Sequence, residues 1–283
     1  MYTKQLMLAF SYMSYYGITH TGANAELILK MALKWKPFQD DWEVVWGPAV
    51  YTPFTIFNDA MMYVQKKGEG EYVIAIRGTN PVSISDWLFN DFMVMKKWPY
   101  ASVEGRKISS TSYGLKTLQK LKPKSIPGEK TLQFLNEIGE GAKCVTGHSK
   151  GGALSSTALW LDIQGLSNID ISTPFAGPTA GNAFAYFDDL GDCRIANSLD
   201  IVPYAWNTSL KKLKSYEVPQ RALIMIAETK KKYKQIKAET PLEGNPLIEY
   251  LVQAAYQHVV GYPELMMDDI PLDIFEDAIA GLL

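Results

Sequence analysis

The sequence predicts an α/β fold with a mostly parallel central sheet flanked by helices, and three observations predict it. After an N-terminal helical region, strand-like and helix-like segments alternate, which implies βαβ units. Tyr72-Val73-Ile74-Ala75-Ile76 is apolar throughout, as suits a strand buried on both faces of a sheet. A glycine-rich turn, Gly147-His148-Ser149-Lys150-Gly151, joins a short strand to a helical stretch. The 283 residues can bury a large core, and no internal repeat or low-complexity linker divides them. One domain over residues 1–283 is therefore expected.

Taken in order, residues 3–16 and 22–34 read as helices and Glu43 to Tyr51 as a strand. Residues 59–66 and 71–77 read as two strands joined by the turn Lys67-Gly68-Glu69-Gly70. Helical patterns follow at about 112–122 and 129–139. Next come a strand, Lys143-Cys144-Val145-Thr146, and a helix from Lys150 to Ile163 with Ala153, Leu154 and Ala158 on its apolar side. A strand at 169–174, a helix at about 180–189 and a strand at 193–197 complete the alternation. The segment 205–257 differs in character and reads as a helical insertion. Its Lys230, Lys231, Lys232, Lys234 and Lys237 suit a solvated helix face, or a surface that meets anionic lipid.

The net charge of −2 argues against nucleic acid as a partner. Two cysteines, Cys144 and Cys193, both in apolar runs, read as buried thiols rather than a disulfide framework. No apolar run reaches the ~18 residues of a membrane span. The start, Met1-Tyr2-Thr3-Lys4, lacks the features of a signal peptide, so an intracellular protein or a trimmed leader is expected. Three histidines and no cysteine cluster supply no ligand set for a zinc hydrolase, and no cofactor is expected.

The chemistry centres on residues 147–151, which match the G-x-S-x-G nucleophile elbow of α/β hydrolases. The pattern is short enough to arise by chance, but a strand before it and a helix after it are the context it requires. In this arrangement Ser149 projects above the sheet at a helix N-terminus, which helps stabilise an oxyanion. A serine hydroxyl needs a neighbouring base. Of His20, His148 and His258, only His258 satisfies the order Ser, then acid, then His. His148, adjacent to Ser149, reads as packing or as support for the site. The acid should lie between 149 and 258 at the C-terminal end of a strand. Asp170 would open a strand, and Asp188, Asp189 and Asp192 precede one, whereas Asp200 follows Cys193 to Asn197 and is the best candidate. The oxyanion donors would be the N–H of Lys150 and an N–H from the loop after an earlier central strand, which Ile76-Arg77-Gly78-Thr79-Asn80 offers.

Four blocks now carry a resemblance. They are Val73 to Asn80 (VIAIRGTN) followed by Asp86-Trp87, Val145 to Leu154 (VTGHSKGGAL), Thr173 to Ala185 (TPFAGPTAGNAFA) and Arg194 to Pro203 (RIANSLDIVP), with His258 later. Together they resemble the class 3 lipases, the fungal-type triacylglycerol lipases and their bacterial relatives. The resemblance implies an α/β-hydrolase fold and a triad of Ser149, Asp200 and His258. It also implies Thr79 and Lys150 as the oxyanion donors, with Asp86 or Asp91 supporting Thr79. Such proteins carry a mobile lid, which here would be residues 81–98, with Val82, Ile84, Trp87, Leu88 and Phe89 as apolar residues over the site. The alternative is an ordinary buried helix. Lys150 departs from the apolar residue often found there, and Asp200 to His258 offers no detailed match.

The resemblance implies a carboxylic-ester hydrolase, with an acylglycerol at a lipid–water interface as substrate. Phospholipase, feruloyl esterase or short-chain carboxylesterase activity on the same triad is the alternative. A non-catalytic binding protein on the same fold is the remaining rival, against which an intact Ser-Asp-His set argues.

Overall fold

The computed structural model describes residues 2–15, 23–34, 38, 41–51, 60–78, 96–97, 107–108, 142–155, 169–178, 195–197, 200, 202–204 and 256–266. Helix α1 is Lys4–Met13 and α2 is Ala23–Ala32. The strands are β1 (Trp42–Tyr51), β2 (Ala60–Lys67), β3 (Glu71–Ile76), β4 (Lys96–Lys97), β5 (Lys107–Ile108), β6 (Ala142–His148) and β7 (Ile171–Phe175). Helix α3 starts directly after Ser149 and is described over residues 150–155. A 3-10 turn at Val202–Tyr204 follows, then helical residues 256–259 and α4, Gly261–Met266.

The main sheet has the order β1-β2-β3-β6-β7. It is mixed: β1, β2 and β3 pair antiparallel, whereas β3–β6 and β6–β7 are parallel. The tight turn at Lys67-Gly68-Glu69-Gly70 forces the β2–β3 hairpin. The parallel half is reached by crossovers, as α/β connections require. Strand β1 tolerates Pro48 because, among the described strands, it lies at the edge, and its register shifts between Trp46 and Ala49. The sheet continues past β7 through a parallel bridge from Phe175 to Ile195. Strand β6 runs two residues further than Thr146, because Gly147 and His148 pair with Pro174 and Phe175.

Thr3 caps α1 by accepting the Leu6 N–H at 3.2 Å. Every residue from Met7 to Met13 is buried, so this helix is enclosed by protein rather than lying on a surface. It packs on β3, β6 and β7 and also meets α4. The Thr146 hydroxyl reaches the Met7 carbonyl at 3.1 Å, and Tyr63 donates to the Phe10 carbonyl at 2.7 Å. Phe10 stacks on Phe38 with ring centroids 5.1 Å apart and meets Trp42 edge-on at 4.9 Å. Cys144 is a buried thiol; Cys193 lies outside the described residues. Among the described residues no helix is long and apolar enough to cross a membrane.

Candidate active site

The site lies at the C-terminal ends of β3, β6 and β7, where parallel strands of an α/β sheet expose their loops. Ser149 directly follows β6 with φ 60°, a left-handed backbone that costs a non-glycine residue ~1–3 kcal/mol. The surroundings impose it. The Ser149 N–H donates to the Phe175 carbonyl at 2.9 Å, and its own carbonyl accepts the N–H groups of Gly152 and Ala153 at 2.9 and 3.2 Å. The chain thus turns from strand to helix within one residue, with Lys150 heading α3.

The two glycines of the motif are there for close packing. A Cβ on Gly147 would stand 2.3 Å from the Gly151 carbonyl oxygen, and one on Gly151 would stand 2.0 Å from that of Ile76. Real carbon–oxygen contacts do not come this close, so only hydrogen fits at either position.

Asp200 and His258 come together from segments 58 positions apart: His258 Nδ1 lies 2.8 Å from Asp200 Oδ2. Both are buried, at 0% and 2% exposure. A buried carboxylate is costly unless its oxygens are engaged. Oδ2 also accepts the Tyr262 hydroxyl at 2.9 Å, and Oδ1 accepts the Val202 N–H at 2.9 Å. Because a carboxylate only accepts, His258 presents its Nδ1 proton to Asp200, and in the neutral ring Nε2 is then the basic nitrogen.

The acid and base segments are tied a second time. Tyr262 accepts the Asn197 N–H at 2.8 Å, and the Asn197 amide donates to the Gln257 carbonyl at 3.0 Å. Burial first, and then Asp200, push the Tyr262 phenol up, so it remains a donor.

His148, the residue before Ser149, packs its ring against that of His258, with centroids 4.7 Å apart. It is buried and holds two hydrogen bonds, to the Tyr15 hydroxyl through Nδ1 at 2.8 Å and to the His258 carbonyl through Nε2 at 2.7 Å. Desolvation, and then His258, lower its pKa well below 6.5, so it is neutral. Arg77, also buried, closes β3, and its Nε lies 3.3 Å from the Gly78 carbonyl.

Of the residues singled out from sequence, Ser149, Lys150, Asp200, His148 and His258 fall within the described residues. Thr79, Val82, Ile84, Trp87, Leu88, Phe89, Asp86 and Asp91 lie outside them. So do His20, Asp188, Asp189 and Asp192, the lysine-rich run, the insertion at 205–257 except Tyr256 and Gln257, and the lid segment except Lys96–Lys97. Asp170 sits just before β7 and accepts the Lys143 N–H at 2.7 Å, at the opposite end of the sheet from Ser149. Tyr262 and Tyr15 were not legible as site residues. Tyr262 had one weak signal, its position four residues after His258.

A strained serine between strand and helix, set on this sheet with an acid–imidazole pair on later segments, defines a serine hydrolase of the α/β-hydrolase class. The class 3 lipase profile matches residues 73–209. The crystal structure of a lipase designated M37 shares 74% identity over 100% of both chains, with a TM-score of 0.73. The chain belongs to the class 3 lipase family. Lipase II from Rhizopus niveus, at 20% identity, shares the fold with a TM-score of 0.50, over 74% of this chain and 77% of that one. Comparison with curated proteins gives no match.

Proposed function

We propose that this lipase hydrolyses acylglycerol esters through an acyl-enzyme on Ser149, with His258 as general base and Asp200 as the acid that orients it. The buried Asp200–His258 pair beside the Ser149 turn carries this reading, with its 2.8 Å contact fixing which imidazole nitrogen is basic. His258 Nε2 takes the Ser149 proton as Oγ attacks the ester carbonyl. The imidazolium so formed is stabilised by Asp200. The backbone N–H groups of Lys150 and Thr79 hold the oxyanion, and loss of one such donor costs ~3 kcal/mol. The imidazolium then protonates the leaving alcohol, and water, activated by the same base, releases the acid. Residues 81–98 form the lid, and residues 1–283 work as one catalytic unit with an insertion at 205–257. The bond from the Tyr12 hydroxyl to the Val259 carbonyl, which joins α1 to the base segment, supports that unity.

The test is labelling by a fluorophosphonate together with turnover of p-nitrophenyl esters of increasing chain length, above and below their solubility. Labelling lost in Ser149→Ala and a rate that jumps at the interface are expected. Undiminished activity in Ser149→Ala overturns the assignment. A preference for short soluble esters or for phospholipid overturns the acylglycerol substrate and leaves the triad.

A further inference from the structure

Asp200 holds the imidazole ring of His258, but the main chain carrying that ring is held by His148. The His258 carbonyl lies 2.7 Å from His148 Nε2, and a carbonyl only accepts, so Nε2 bears the proton. The ring is neutral, so Nδ1 is bare and accepts. The Tyr15 hydroxyl, 2.8 Å away, is therefore the donor. Burial pushes the Tyr15 phenol up, so it keeps the proton it donates.

The Tyr15 oxygen has a further neighbour. A Cβ added to Gly78 would stand 2.5 Å from it, 2.6 Å from the His148 carbonyl oxygen and 2.7 Å from Ser149 Cβ. The Gly78 main chain therefore packs directly against the Tyr15 hydroxyl. Gly78 directly precedes Thr79 in the chain. The bonds run one way, Tyr15 O–H to His148 Nδ1 and His148 Nε2–H to the His258 carbonyl, and the Gly78 main chain abuts the Tyr15 oxygen at the start of the relay. Tyr15, His148 and His258 are at most 4% exposed, so water does not substitute for a missing link.

We propose that Tyr15 and His148 are positioning residues for ester hydrolysis: their hydrogen-bond relay sets the backbone of the base in register with the loop that follows β3 and with Ser149. The relay rests on the reading of Ser149, Asp200 and His258 as the triad. It touches no substrate and moves no proton during turnover. Its effect is on the placement of His258 relative to the serine hydroxyl and the oxyanion donors, where ~1 Å of error costs up to 10²-fold in rate.

The test uses the full chain and a soluble p-nitrophenyl ester. Tyr15→Phe removes one oxygen and leaves the ring. It is expected to lower kcat about tenfold with KM within about twofold, since geometry and not binding is lost. Tyr63→Phe is the matched control, because it also deletes a buried tyrosine hydroxyl that anchors α1, here through the Phe10 carbonyl. It is expected to lower Tm as Tyr15→Phe does and to keep kcat. His148→Gln places an amide N–H near the position of Nε2 and retains kcat better than His148→Asn, which is too short to reach His258. Wild-type kcat in Tyr15→Phe, an equal kcat loss in Tyr63→Phe, or equal losses in the two His148 variants overturns the relay. If Tyr15→Phe does not fold, the His148 pair decides by itself. Ser149→Ala, run alongside, separates the two readings: undiminished turnover there overturns the triad, whereas a Ser149→Ala crippled by orders of magnitude beside a fully active Tyr15→Phe overturns the relay alone.

Discussion

Gly151→Ala adds one methyl group where the main chain of β3 already stands. The new carbon would lie 2.0 Å from the Ile76 oxygen, 2.8 Å from the Ile76 carbonyl carbon and 2.9 Å from the Arg77 carbonyl carbon. Carbon and oxygen approach to ~3.3 Å at closest, so α3 and the end of β3 must separate by roughly 1 Å. No side chain can rotate away, because all three atoms are backbone. Such overpacking costs ~3 kcal/mol, the upper part of the usual range. In a domain of this size that lowers Tm by roughly 6–12 °C. The displaced elements are those that carry Ser149 and Gly78, so kcat should fall by about 10²-fold as well. Gly68→Ala is the comparison. Gly68 also has an awkward backbone, with φ +57°, but nothing lies within 4 Å of its added carbon. It should cost only the ~1–2 kcal/mol of a left-handed alanine and leave turnover unchanged. Thermal denaturation and ester turnover of both variants check this. Wild-type kcat in Gly151→Ala, with a Tm no lower than that of Gly68→Ala, would refute the claim that this glycine sets the Ser149 turn against β3.

Asp200→Asn should fold and lose about 10⁴-fold in kcat, because an amide facing His258 favours the wrong imidazole tautomer. A loss below tenfold on a soluble ester, with an unchanged circular dichroism spectrum, would reject the orienting role. His148 gives a pH signature. Its folded pKa is lowered, so below its ordinary value of 6.5 the unfolded chain binds a proton that the folded chain refuses. Stability contributed by the neutral ring is therefore present above 6.5 and lost as pH falls. Denaturant titrations between pH 7 and 5 should show wild-type stability falling more steeply than that of His148→Gln, by up to ~1.4 kcal/mol per pH unit. Parallel slopes would mean that His148 is protonated in the folded protein.

The triad candidates were legible because each leaves a local mark. Ser149 sits in a spaced glycine motif, His258 is the sole histidine downstream of it, and Asp200 follows a strand. The β2–β3 hairpin was legible from its turn residues. The antiparallel pairing of β1 was not, since alternation along a strand does not say which way its neighbour runs. The relay was also hidden. Tyr15 lies in an apolar N-terminal stretch where a tyrosine reads as core, and the bond from His148 ends on a carbonyl 110 positions away, which every residue possesses. The full enclosure of α1 was hidden as well, because part of its cover comes from distant chain, at Tyr63 and Val259.

That cover has a consequence for how the protein is born. The Tyr12 hydroxyl bonds the Val259 carbonyl across 247 positions. On the ribosome, α1 is made long before the strands and the C-terminal turn that enclose it, and contacts this far apart form late because the loop between them must first be closed. A nascent chain therefore holds Ser149 well before it holds His258, the proposed base. On the proposed triad, hydrolytic competence would arrive only when residues 256–266 dock, and until then the buried face of α1, Met7 to Met13, is uncovered and exposed to aggregation.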